Sequence, residues 1–313
     1  MARRCKRFAP LLGLSVLVAL LAGCVGSAVQ GTKYTAFKDS TAVLAQDTRT
    51  SYEGVQSLWE ELTAQCLAMP SSKAEYVNVL SKSGIPCGKT TGGEVREFEN
   101  PQPRLDARLQ AMDTLARYAS VLNTLATTDY AAGVDASTAK LTASLDNLEA
   151  ALAQGGVPVT PAVQGATSAI STVVRLVATS YVNGERQKAL HELLKDTQQS
   201  IADLAIYMKR DNGEISSMAK GYSEFYVGRA QEARPSDYKT AKAYDAEVLK
   251  VYKKGKYLEA AFRAQDKMLD LLPLAHKELL DNLDKPKGRM EQLEAFVGAA
   301  EQVLVLMQQI KNI

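Results

Sequence analysis

The chain has 313 residues with 37 basic and 35 acidic side chains, and a net charge of +2 gives nucleic-acid binding no compositional support. A hydrophobic content of 46% excludes a disordered chain, and the length suffices for one large or two modest domains with a proper core.

The first residues, MARRCKR, carry positive charges at Arg3, Arg4, Lys6 and Arg7, and an apolar segment runs from Phe8 to Leu21. This is the layout of a signal peptide. A membrane-spanning helix needs about 20 apolar residues, and this run is shorter and holds Pro10 and Gly13. The positions Leu21-Ala22-Gly23-Cys24 resemble the lipobox of bacterial lipoproteins, in which small residues admit the peptidase and the cysteine sulfur takes a diacylglycerol. The resemblance covers the leader alone. It implies that residues 1–23 are removed, that Cys24 is lipidated, and that several acyl chains anchor the protein to the membrane without spanning it. Val25, where an Asp favours inner-membrane retention in enterobacterial relatives of that class, implies the outer membrane, periplasmic face; a Gram-positive surface lipoprotein is the other address. An ordinary secretory cleavage before Cys24 is the competing reading of the same residues.

Residues 24–32, which include VGSAVQGT, are small and aperiodic and read as a flexible tether. With Cys5 in the leader and Cys24 lipidated, Cys66 and Cys87 remain, and an exported pair in an oxidising space reads most simply as a disulfide. The intervening segment opens with Ser72 and Glu75 in capping-box spacing and stops at Gly84 and Pro86, which predicts a short helical flap pinned to the first long helix. A redox or metal site would ask for C-x-x-C spacing or a nearby histidine, and the pair has neither.

From residue 33 onward, apolar positions recur at intervals of three and four, the period of helices buried on one face. Leu141, Leu145, Leu148 and Leu152 keep it; so do Leu190, Leu194, Thr197, Ile201, Leu204 and Met208, and Met290, Leu293, Val297, Ala300, Leu304 and Met307. Breaks fall at Pro101 and Pro103, at 127–135, 154–161, Asn183-Gly184, 210–214, 233–237, Gly255 and 284–288. The prediction is an all-α fold: an elongated antiparallel bundle of about seven to nine helices of roughly 18 to 30 residues, with no sheet. Residues 33–235 form the bundle with the flap at 66–87, and 236–313 add C-terminal helices packed on it. Pro273, inside a periodic stretch, predicts a kink or a break.

His191 and His276 lack H-E-x-x-H and Glu-x-x-His spacing, and both read as surface or half-buried helical residues. No G-x-S-x-G or S-x-x-K is present, and Asp and Glu read as solvated helix faces. The expectation is no enzyme, no cofactor and no metal. Residues 241–273 resemble one tetratricopeptide-type hairpin, with Tyr244, Gly255, Tyr257 and Ala260 at its spacing and no second copy beside it; the bland alternative is an ordinary hairpin turning at Gly255.

Tyrosines and lysines interleave late in the chain, and Tyr238, Lys242, Tyr244, Tyr252, Lys253, Lys254 and Tyr257 form a candidate partner-binding surface, or else rings packed between helices. Together these observations point to a membrane-anchored envelope lipoprotein acting as an interaction or scaffold module with a protein partner. A carrier or sensor holding a lipid or small molecule between helices, and a membrane-active protein inserting the sparsely charged segment 165–182, are the alternatives.

Overall fold

A computed structural model describes residues 28–68, 84–89, 95–127, 131–154, 170, 185–232, 234–285 and 288–311. Among these lie six helices: α1 (Ala28–Ala68), α2 (Gln102–Thr127), α3 (Ala131–Gln154), α4 (Arg186–Glu232), α5 (Tyr238–Asp281) and α6 (Glu291–Lys311). A two-stranded antiparallel ribbon, β1 (Gly84–Lys89) and β2 (Val95–Glu99), joins them, with Ile85 opposite Phe98. The all-α class therefore holds for the body, while the expected absence of any sheet is corrected by this ribbon. Most of the segment predicted to form a helical flap lies outside the described residues, and its end at Gly84 is a strand.

Cross-helix contacts fix the arrangement. Lys33 donates to the Asn282 carbonyl, Gln265 to Asp47, and Lys254 to Glu61, so α1 and α5 run antiparallel. Arg108 meets Asp211 and Tyr118 meets Thr197, which makes α2 and α4 antiparallel too. Tyr52 reaches Asn212 and Gln65 reaches the Tyr226 carbonyl, so α1 and α4 are parallel and diagonal. These four helices form the bundle. Helix α3 packs on α2, where Gln110 and Thr114 meet Ser144, and α6 packs on α5 and α1. Glu278 of α5 accepts the Leu293 amide and so caps the first turn of α6.

Helices α1, α4 and α5 have 41, 47 and 44 residues, far longer than the predicted range. In α4 and α5 a predicted break is absent, for a different reason in each. At 210–214 the residues Asp211 and Asn212 face the interior and engage Arg108 and Asp266, so packing overrides their turn preference, and Gly213 simply sits on the open side. At Gly255 the helix also continues, which corrects the tetratricopeptide-type hairpin. Val251, Gly255, Leu258 and Phe262 make one buried stripe, and a Cβ on Gly255 would lie 2.5 Å from Ser223 Oγ and 2.7 Å from its Cβ. Glycine is there because α4 approaches closely, not because the chain turns. Gly255→Ala is therefore expected to cost about 1–3 kcal/mol in urea unfolding, with Ser223→Gly in the same background restoring most of the loss. Helix α5 is also unbroken at Pro273, whose carbonyl accepts a bond from Gln198 Nε2 at 3.0 Å.

Of the other predicted connections, those at 101–103, 233–237 and 284–288 fall between helices, the one at 127–135 is cut short because α3 begins at Ala131, and 155–161 and 183–184 lie outside the described residues. Asn100 Oδ1 accepts the Gln102 amide at the start of α2, and Asp237 accepts the Thr240 amide at 2.9 Å as the N-cap of α5. Helix α1 begins at Ala28, so residues 28–32 belong to a helix and not to the tether.

The core is divided. One apolar cluster joins Phe37 and Leu44 to Leu122, Leu194, Met208, Met268, Leu272 and Phe296; a second joins Val55 and Leu58 to Ile215, Tyr222, Leu258 and Phe262. Between them lies a polar layer formed by Asp47, Ser51, Arg108, Asp211, Asn212 and Gln265, all buried.

Candidate functional site

The candidate site of greatest exposure is the start of α5. In its first thirteen residues only Ala241 is buried. Helical spacing puts Tyr238, Lys242, Leu249, Tyr252, Lys253 and Lys256 on one side, and Tyr238, Leu249 and Tyr252 are 79%, 48% and 46% exposed. The Lys256 ammonium stands 5.9 Å from the centre of the Tyr252 ring. Nearby carboxylates already have partners: Asp245 takes a two-pronged bond from Arg234, and Glu247 pairs with Lys250. Lys239, Lys242 and Lys253 have no carboxylate partner among the described residues, which leaves this stripe apolar and cationic.

Of the seven residues predicted for the surface, Tyr238, Lys242, Tyr252 and Lys253 are exposed on it. The others turn inward. Tyr244 is half-buried, Tyr257 packs against the second core cluster, and Lys254 binds Glu61 at 2.6 Å and Ser57 at 2.9 Å on α1. Leu249 and Lys256 belong to the stripe and were missed, although their spacing of seven residues places them together.

The polar layer carries the chemistry that sequence reading assigned to solvated faces. Arg108 Nε donates to Asp211 Oδ2 at 2.9 Å with the two side chains 1% and 3% exposed, and Arg108 Nη1 has no partner. Gln265 Nε2 donates to Asp47 Oδ2 at 2.8 Å and to Ser51 Oγ at 2.9 Å, while Asp47 Oδ1 and Gln265 Oε1 are buried and unpaired. Burial pushes the Asp47 carboxyl up to about 7 against the pull of Gln265, so its proton is retained far above the ordinary carboxylate range.

His276 is wholly buried, which corrects the surface or half-buried reading; His191 is exposed as expected. The ring of His276 lies between Gln198 Oε1, 2.6 Å from Nδ1, and the Tyr118 hydroxyl, 2.6 Å from Nε2. Gln198 Nε2 donates to the Pro273 carbonyl, which leaves Oε1 as an acceptor; the network therefore assigns the proton to Nδ1, and Tyr118 donates to Nε2. Burial lowers the His276 pKa to about 3, so the ring is neutral, held on both nitrogens and sealed from any outside substrate.

The signal for these residues was present. Arg108 stands between Leu105 and Met112, Asp211 between Met208 and Ile215, and His276 between Leu272 and Leu279, each on a stripe that is otherwise apolar. A charged residue at a core position is a buried one.

Cys66 is disulfide-bonded, and β1, which carries Cys87, lies against α1. The side chain of Cys87, like all of Cys24, lies outside the described residues. In the segment 165–182 only Ile170 is described, and it is buried in the first core cluster. Among the described residues no three His, Cys, Asp or Glu side chains group to hold a metal, and no helix is long and apolar enough to cross a membrane.

Comparison of the chain with protein families, curated proteins and solved structures finds no match.

Proposed function

We propose that the protein is a non-enzymatic interaction module of the bacterial cell envelope, anchored through acyl chains on Cys24 in the outer membrane facing the periplasm, which presents a docking face to a protein partner. The observation that carries this reading is the position of the α5 stripe. Lys33 pairs with the Asn282 carbonyl at one end of the bundle, whereas Glu61 pairs with Lys254 and Gln65 with the Tyr226 carbonyl at the other. The stripe therefore sits at the end remote from the start of α1, about 60 Å away at 1.5 Å per residue over 41 residues. An anchor at Cys24, four residues before α1, holds that face away from its own membrane. Exposed tyrosine and leucine beside unpaired lysines supply the area and charge that protein interfaces use.

The test is a photocrosslinking residue at Tyr252 in cells, compared with the same residue at the exposed His191 near the opposite end. A discrete protein adduct from Tyr252 alone, lost with Lys242→Glu and Lys253→Glu, is expected. Adducts from neither site, or equally from both, overturn the docking face. Anchoring is tested separately. Cys24→Ser is expected to move the protein from the membrane to the soluble fraction, and continued membrane retention rejects the lipid anchor. The proposed Cys66–Cys87 pairing is expected to appear as one linked peptide in a non-reducing digest.

A further inference from the structure

The middle of the α1–α5 seam joins two side chains that are shut off from solvent. Asp47 and Gln265 are each 0% exposed, and they sit where the two apolar clusters meet, with Leu44 and Val55 on either side of Asp47 along α1 and Phe262 and Met268 on either side of Gln265 along α5. Asp47 and Ser51 are one helical turn apart, so both reach the same point on α5. There the Gln265 amide nitrogen uses both of its hydrogens, one on Asp47 Oδ2 at 2.8 Å and one on Ser51 Oγ at 2.9 Å. The other oxygen of each group, Asp47 Oδ1 and Gln265 Oε1, is buried and without a hydrogen bond. Both are acceptors while the carboxyl is ionised, and neither then satisfies the other. A single proton on Oδ1 removes the conflict, because a carboxylic acid and an amide are complementary planar groups that close a ring of two bonds, N–H to one oxygen and O–H to the other.

No charged group nearby is free to offset an ionised Asp47. On α2, Arg108 bonds Asp211 of α4, and Asp113 takes Arg49 of α1. On α5, Asp266 accepts from Asn212, while Arg263 and Lys267 are exposed. Arg210 of α4 and Glu291, Glu294 and Glu301 of α6 are exposed as well, and burial raises the Tyr52 and Tyr207 phenols, which stay protonated. Burial, opposed only by Gln265, accordingly carries the Asp47 carboxyl up to about 7.

We infer that Asp47 and Gln265 form a proton-locked clasp between α1 and α5, in which Oδ1–H donates to Oε1 beside the observed Nε2–H to Oδ2 bond, and that the seam loosens there when the proton leaves. On opening, the Oδ1–H bond breaks and the proton passes to water. The opened carboxyl releases its proton in the ordinary range, whereas the clasped one holds it to about 7. Opening is therefore favoured as pH rises between these values, and acid tightens the seam. The Lys33 and Lys254 contacts at the two ends involve no group that titrates in this window, so the response is confined to the middle. The clasp is independent of the docking face and of the lipid anchor.

Two measurements on the full-length protein in detergent test it. Infrared difference spectra with carboxyl-labelled aspartate are expected to show a protonated aspartic acid at about pH 6 that is lost at about pH 8 and is missing from Asp47→Asn. Amide hydrogen exchange, corrected for its intrinsic pH dependence, reads the seam. Protection of residues 44–51 and 262–269 is expected to fall by up to about tenfold per pH unit from about pH 5 to pH 7 and to level off above, as the release of one proton requires. Asp47→Asn, whose amide donates to Gln265 Oε1 at every pH, is expected to keep the protection and lose the dependence. Lys254→Met, at the far end of the seam, is expected to leave the dependence in place. The absence of a protonated aspartic acid from the parent, protection that does not change with pH, or a pH dependence that survives Asp47→Asn overturns the clasp, and the first two are read on the parent alone.

Discussion

Replacing Arg108 by methionine is expected to lower the thermal midpoint by roughly 6–20 °C, the equivalent of about 3–5 kcal/mol. The loss comes less from the bond that disappears than from the charge that stays. Asp211 is 2% exposed and its Oδ2 is bonded to Arg108, so removal of the guanidinium strands a carboxylate between two apolar clusters. The pair itself is incompletely served, because Arg108 Nη1 has no partner. Removing both charges with Arg108→Met and Asp211→Leu is therefore expected to recover the loss, and to match or exceed the parent by about 1–4 kcal/mol. Thermal unfolding of the two single variants and the double variant measures the coupling directly. A neutral Arg108→Met would mean that Asp211 reaches solvent.

Asp47→Asn is expected to stabilise the protein above neutral pH by about 1–3 kcal/mol and to have little effect near pH 4. The sign follows from the proton count. The folded carboxyl titrates at about 7 and the unfolded one at the ordinary 3.8, so between these values the folded state holds the proton that the unfolded state releases. Stability therefore falls as pH rises through this window, and the full cost is present above about 7. Asparagine removes the titration and offers an amide donor beside the unpaired Gln265 Oε1. His276 acts in the opposite direction, since its lowered pKa costs stability as pH falls below its ordinary 6.5, but it is common to both proteins and cancels in the difference. Urea unfolding at unit steps from pH 4 to 8 is the measurement. A difference independent of pH would show that Asp47 is already ionised at its site.

Helix content, the antiparallel topology and the helix boundaries at 101–103, 233–237 and 284–288 were legible, because apolar spacing and the proline and glycine connections there report burial and chain reversal directly. The two false breaks share a cause. Gly255 and the Asp-Asn-Gly run at 211–213 carry turn chemistry in local terms, and only the neighbouring helix reveals that one fits a close crossing and the other supplies buried partners. The ribbon at 84–99 is short and has no long alternating pattern, so a period-two signal had little to act on. For the candidate surface, composition located the right stretch of α5 but not the face. A helix turns Lys253 outward and Lys254 toward Glu61 within one residue, a distinction that needs the position of α1.

The pairings along α1 and α5 also govern how this molecule can change size. Lys33 with Asn282, Asp47 with Gln265, and Glu61 with Lys254 mark three rungs of a ladder whose rails run in opposite directions. An insertion in one rail alone rotates every later side chain off its rung and displaces each partner beyond it. Lengthening therefore requires matched additions, close to seven residues at a time, in all the facing helices at the same level. Single insertions and deletions are confined to the connections at the two ends, so among descendants of this sequence the ends are free to vary while the span between them is inherited as a fixed measure.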